Sequence, residues 1–193
     1  MKEKIRLIQA AIGVQPDGVV GPRTVEALMV ALKLDQQPRW PTQSEVRSGK
    51  SIFGAPGDES KLVSIRPPYP LFYEGRQVQS IRVHEKIAAH VESALAEVLE
   101  AYGIEEIKRL GLDQYSGSFN YRATSGGAAL SMHAWGIALD FAAEKNGLKV
   151  SAPHASLSRP ECERWWQIWE SHGAVSLGRE RDYDWMHIQF ATL

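Results

Sequence analysis

Two stretches of this chain combine residue types that do chemistry. The first is Ser131-Met132-His133-Ala134-Trp135-Gly136-Ile137-Ala138-Leu139-Asp140. If 136–141 is extended, Ile137, Leu139 and Phe141 share one face, while Gly136, Ala138 and Asp140 share the other. Asp140 then projects from a face that Gly136 and Ala138 leave free of bulk, where an ion can reach it. His133 precedes the strand, and Gly136 lets the backbone fold back there. The second stretch is Asp184-Trp185-Met186-His187-Ile188-Gln189-Phe190. His187 points away from Met186 and Ile188, and Gln189 shares its face as a candidate partner behind it. Asp184 lies three residues before His187, so it joins the same site only from a turn or bulge at the strand mouth.

Two imidazoles and one carboxylate, His133, His187 and Asp140, form a standard zinc-ligand set. Catalytic zinc keeps three protein ligands and leaves a fourth position to water. Bound zinc lowers the pKa of that water to about 7. Asp184 is the candidate general base that takes its proton. Arg122, at the end of a strand spanning 116–122, is the candidate cation for a carbonyl oxygen or a substrate carboxylate. The five defined positions of S-x-H-x-x-G-x-A-x-D arise by chance roughly once in ten thousand chains of this length at average residue usage. The pattern therefore outweighs any single histidine in it.

The elements that must position these residues are legible in outline. Ile5, Ile8, Ala11 and Ile12 recur at helical spacing, and Gly13 stops that helix. Gln15-Pro16-Asp17-Gly18 is a turn signal. A second helix runs from Arg23 to about Leu34, with Val25, Leu28, Met29 and Leu32 as its stripe. Residues 35–62 are polar and rich in Gly, Pro and Ser, which predicts a linker. The remainder, 63–193, reads as one domain. Pro67-Pro68-Tyr69-Pro70 is an extended approach to it. A long helix spans Val83 to Tyr102 and a shorter one Ile104 to Leu110. Strands cover Tyr115 to Arg122, Ile137 to Phe141 and Trp185 to Phe190, and a helix covers Pro160 to His172. Strands separated by helices without regular alternation give an α+β class.

Composition sets the bounds. The 193 residues are 44% hydrophobic and 23% charged, ordinary globular usage, and the formal net charge is −1. A near-neutral chain lacks the basic footprint of general nucleic-acid binding. No run of 18 apolar residues predicts a membrane span. The N-terminus reads as an amphipathic helix and not as a secretory signal, so synthesis in the cytoplasm without a signal peptide is expected. Cys162, the single cysteine, is expected to be an inert thiol. His84, His90, His154 and His172 are expected at the surface. Trp135 and Trp185 flank the proposed ligands, either as wall packing or as substrate contacts.

Over residues 66–193 the sequence resembles the zinc peptidases of peptidoglycan: D-alanyl-D-alanine carboxypeptidases, D,D-dipeptidases and phage L-alanyl-D-glutamate endopeptidases. S-x-H-x-x-G-x-A-x-D followed by E/D-x-x-H is that family's pattern. Gly117-Ser118-Phe119-Asn120-Tyr121-Arg122 is similar to its strand ending in a substrate-facing arginine. The resemblance implies a small antiparallel sheet with flanking helices, as in the hedgehog and DD-peptidase folds. It implies zinc on His133, Asp140 and His187, Asp184 as base, and Arg122 as stabiliser of substrate or transition state. Ser131 and Trp185 fall near the substrate. Asp at 184 and Gln at 189 depart from the carboxypeptidase pattern and resemble the phage endopeptidases. The implied partner is peptidoglycan, acted on by a monomer that reaches the wall through a holin or a secretion system. Leu7-Ile8-Gln9 with Pro16-Asp17-Gly18-Val19-Val20-Gly21-Pro22-Arg23-Thr24 is similar to the D-G-x-x-G-x-x-T signature of peptidoglycan-binding helical modules. Residues 1–34 would then bind cell wall, or survive as a packing element with Thr24 capping the second helix.

Overall fold

A computed structural model describes residues 1–32, 39–125 and 127–193, which divide into two compact units, Met1–Arg39 and Trp40–Leu193. The expected end of the second helix at 33–34 and residues 35–38 of the expected linker lie outside the described residues.

In the first unit α1 spans Lys2–Ala11 and α2 spans Pro22–Ala31. The expected apolar stripes do not form a core. Ile8, Val25 and Met29 are exposed, and among the described residues of this unit the buried side chains are those of Gln9 and Thr24. The Gln9 amide nitrogen lies 2.8 Å from Asp17 Oδ1, 2.9 Å from the Val19 carbonyl and 3.0 Å from Thr24 Oγ1. Its carbonyl oxygen accepts the Gly18 N–H at 2.8 Å. Asp17, Gly18 and Thr24 of the D-G-x-x-G-x-x-T pattern thus converge on one buried amide. Thr24 points inward to it and caps nothing; Gly21 holds the N-cap position, followed by Pro22 where a missing N–H costs nothing.

The second unit is α+β. Its main sheet is antiparallel, in the order β5–β6–β8–β7, built from Tyr115–Gly117, Ala138–Phe141, His187–Gln189 and Val175–Ser176. Two smaller antiparallel pairs flank it: β1 (Leu62–Ile65) with β4 (Ile81–His84), and β2 (Leu71–Tyr73) with β3 (Arg76–Val78). These four short strands carry no clear period-2 signal and were not foreseen. The helix expected from Val83 begins at Ala88, because Ile81–His84 pairs as β4. That helix, α4 (Ala88–Leu110), breaks at Gly103, whose φ of 68° separates the two expected helical pieces. It packs on α6 (Glu163–Ser171), whose Trp165 and Trp169 rings close around Phe141 of β6. Short helices α5 (Ala143–Asn146) and α7 (Leu177–Arg181) follow β6 and β7. Cys162 is buried in the turn before α6, where burial pushes its thiol up to about 11.

The largest departure concerns the expected linker. Residues 40–62 belong to the second unit. Trp40 stacks on Phe53 at 5.7 Å and meets Phe190 edge-on at 5.7 Å, and Val46 is fully buried. Helix α3 (Gln43–Arg47) opens with a capping box in which Thr42 and Glu45 bond reciprocally. Few apolar residues suffice to anchor a segment whose polar remainder stays wet, so average composition concealed it. Among the described residues no helix is long and apolar enough to cross a membrane.

Candidate metal centre

His133 sits in a single 3₁₀ turn, Met132–Trp135. Ser131 begins that turn by accepting the His133 N–H on its hydroxyl at 3.4 Å, and Gly136 ends it in the left-handed region at φ 68°. The turn is tied to the preceding loop by the Ser131 N–H, which donates to the Arg122 carbonyl at 3.0 Å. Asp140 and His187 are directly opposite in the β6–β8 ladder, which brings their side chains together on one face. Asp184 adopts φ 56°, and its carbonyl accepts the His187 N–H at 2.9 Å. This is the turn at the strand mouth that the D-x-x-H spacing demanded.

These elements converge three donor groups. His133 Nε2 lies 3.2 Å from His187 Nδ1 and 3.2 Å from Asp140 Oδ2, and His187 Nδ1 lies 3.0 Å from Asp140 Oδ1. All three side chains are buried, and their ligand atoms fall within 4.8 Å of one another. Ligand atoms at zinc bond lengths of about 2.0–2.1 Å stand roughly 3.3 Å apart along a tetrahedron edge. The observed separations fit that edge, so the residues fit a small divalent cation.

Each imidazole is turned by a partner behind it. His133 Nδ1–H donates to the Ser118 carbonyl at 2.7 Å, which leaves Nε2 facing the centre. His187 uses the other nitrogen: Nε2–H donates to Gln189 Oε1 at 3.2 Å, leaving Nδ1 inward. The electrostatics follow. Burial pushes the Asp140 carboxyl up, but the His133 and His187 imidazoles beside it outweigh that and hold the group well below the usual carboxylate range. Burial pulls the His187 imidazole down, yet Asp140 raises it above the ordinary value. Asp184 behaves differently. Burial and the nearby Asp140 charge lift its carboxyl above the usual range, against the opposing pull of the histidines and Arg122. Its Oδ1 is buried with no hydrogen-bond partner.

A cleft of about 340 Å³ opens onto His133 and Asp140, with Arg122, Phe119 and Asn120 among its walls. Tyr73, Tyr115 and Ser116 also line a second hollow of about 740 Å³.

The structure therefore brings together His133, Asp140 and His187, with Asp184 and Arg122 close enough to act on one another electrostatically. The two residues expected near the substrate have structural partners here. Ser131 is buried and caps the His133 turn. Trp185 is buried against Gly178 and edge-on to Trp166, and its indole N–H donates to Asp182 Oδ1 at 2.9 Å. Of its two readings, wall packing describes this placement. His84 was expected at the surface but is 2% exposed beneath Phe53, and burial lowers its pKa. Sequence reasoning missed the Ser118 carbonyl, for which no side-chain signal exists. It also missed Gln43, whose amide reaches Gln189 Oε1 at 3.1 Å. The T-x-x-E capping box at Thr42–Glu45 was the available sign that Gln43 stands in a folded element.

No family model, curated protein or solved structure matches this chain.

Proposed function

We propose that the second unit is a zinc-dependent peptidase of peptidoglycan stem peptides, cutting the L-alanyl-D-glutamate bond. The observation that carries this reading is the buried His133–Asp140–His187 set, which a cleft reaches at His133 and Asp140, together with the orphaned carboxylate oxygen of Asp184, whose charge interacts with all three. Two imidazoles and one carboxylate suit zinc and leave room for a fourth, exchangeable ligand. When bound, the cation supplies Lewis acidity, lowering the pKa of a water and polarising a carbonyl.

The chain's own residues do the rest. Asp184 takes the proton of the attacking water and returns it to the leaving amine. Its raised pKa brings it nearer the range in which both transfers are easy. Arg122 faces the same cleft as a fixed cation and binds the oxygen on which negative charge grows. Ser118 and Gln189 hold the imidazoles so that only one nitrogen of each faces the centre. Asp184 and Gln189, at positions where the carboxypeptidases that the sequence resembles carry Glu, favour the endopeptidase reading.

The test is digestion of purified sacculi by the zinc-loaded protein, with new termini identified by mass spectrometry. New N-terminal D-glutamyl ends are expected, and their loss in His133→Ala. Released D-alanine instead assigns a carboxypeptidase. Retention on sacculi without new termini overturns the enzymatic reading in favour of a wall-binding protein.

A further inference from the structure

We infer that Gln43 is a positioning residue for the metal centre, acting on His187 through Gln189; this rests on the metal-site reading above. The Gln189 amide has a fixed orientation, because its Nε2 donates to the Ala191 carbonyl at 2.6 Å. Its Oε1 is thereby committed to two donors, Nε2–H of His187 at 3.2 Å and Nε2–H of Gln43 at 3.1 Å. A carbonyl oxygen has two lone pairs, so both bonds are made at once. Gln43 thus pins the acceptor that decides which nitrogen of His187 carries the proton. With Nε2 protonated, Nδ1 is free to bind the cation.

Gln43 arrives from a segment that otherwise needs no help from its side chain. The Gln43 N–H donates to the Thr192 carbonyl at 2.8 Å, and the Thr192 N–H returns to the Pro41 carbonyl at 3.0 Å. Arg47 Nε holds the Leu130 carbonyl at 2.9 Å, just ahead of the His133 turn. Gly57 N–H and the Trp135 indole cross-link the same region, to the Ala134 and Gly54 carbonyls at 2.7 and 2.9 Å. Residues 41–57 therefore strap both ligand-bearing segments. Truncating the Gln43 side chain removes the bond to Gln189 and leaves the strap's main-chain anchors in place.

The experiment measures zinc affinity by chelator competition and the visible spectrum of the cobalt-loaded full chain. It compares the parent with Gln43→Met, Gln189→Met and the double variant. Methionine keeps the length of the side chain and loses the donor. Gln43→Met is expected to weaken zinc about tenfold and to shift the cobalt bands, the scale typical of partners behind a metal ligand. In the Gln189→Met background the same change is expected to add nothing, because the path is already cut. Unchanged affinity in Gln43→Met overturns the inference, as does a loss that adds fully to that of Gln189→Met. If the parent chain takes up neither metal, the metal-site reading itself fails, and this inference with it.

Discussion

At the scale of single residues, the centre works by asymmetry between like groups. His133 presents Nε2 and His187 presents Nδ1, and each choice is made by an acceptor behind the ring. Asp140 and Asp184 diverge in the same way. The first is held ionised by two imidazoles, and the second is pushed toward its neutral form by burial. A ligand must stay charged, whereas a base must exchange a proton, so the divergence matches the two roles proposed for these carboxylates. Asp184→Asn keeps the shape and removes the base. It is expected to leave zinc affinity close to that of the parent while turnover on sacculi falls about 10²–10⁴-fold. Turnover by the parent is expected to rise with pH through the elevated pKa of Asp184, because only the ionised carboxylate accepts a proton. A rate independent of pH across the acidic limb, or full turnover in the asparagine variant, removes Asp184 from the mechanism.

At the scale of elements, three short pieces place the ligands, and none is stable alone. The His133 turn is one 3₁₀ turn, and β6 and β8 have four and three residues. Gly136 is where the turn meets the neighbouring pair β1–β4. A Cβ there would stand 2.5 Å from Leu62 Cδ2 and 3.3 Å from the His84 nitrogen, at a φ of 68° that side chains rarely adopt. Strain and overpacking together predict that Gly136→Ala costs about 2–4 kcal/mol in chemical denaturation. Zinc affinity should fall with it, because the turn carrying His133 must shift. Motif and strand face were readable in advance: the alternation at 136–141 put Asp140 on the face with Gly136 and Ala138, and the three-residue spacing from Asp184 to His187 required a turn. Strand lengths were overestimated. The 115–122 strand ends at Gly117, where the β5–β6 register shifts, and Ser118 turns its carbonyl to His133 instead of to a strand partner.

At the scale of the whole molecule, the boundary between the two units falls at Arg39–Trp40, so the segment expected to be a linker contributes to the core of the second unit. Phe53 is 1% exposed, stacked on Trp40 and edge-on to His84. In the full chain, Phe53→Ala is expected to cost about 3–5 kcal/mol, whereas a true linker residue changes stability by less than about 0.5 kcal/mol. Denaturant titration followed by tryptophan fluorescence separates the two, since six tryptophans report on the fold. The first unit is organised on another principle. Its order comes from the hydrogen bonds that converge on Gln9, while several apolar side chains, Leu7, Val19 and Val30 among them, stay exposed.

The sequence by itself determined what depends on neighbours in the chain: the α+β class, the turn at Gly136, the strand face that carries Asp140, the kink that splits the long helix at Gly103, and the identities of the three residues that the candidate centre brings together. Period and spacing encode these within a few positions. Only the tertiary structure decided which imidazole nitrogens face the centre, that Trp185 packs into a wall, and that Gln43 reaches Gln189 across 146 positions. Such contacts arise from strand pairing and core packing between distant segments, where the free energy depends on who becomes a neighbour and no local pattern records it.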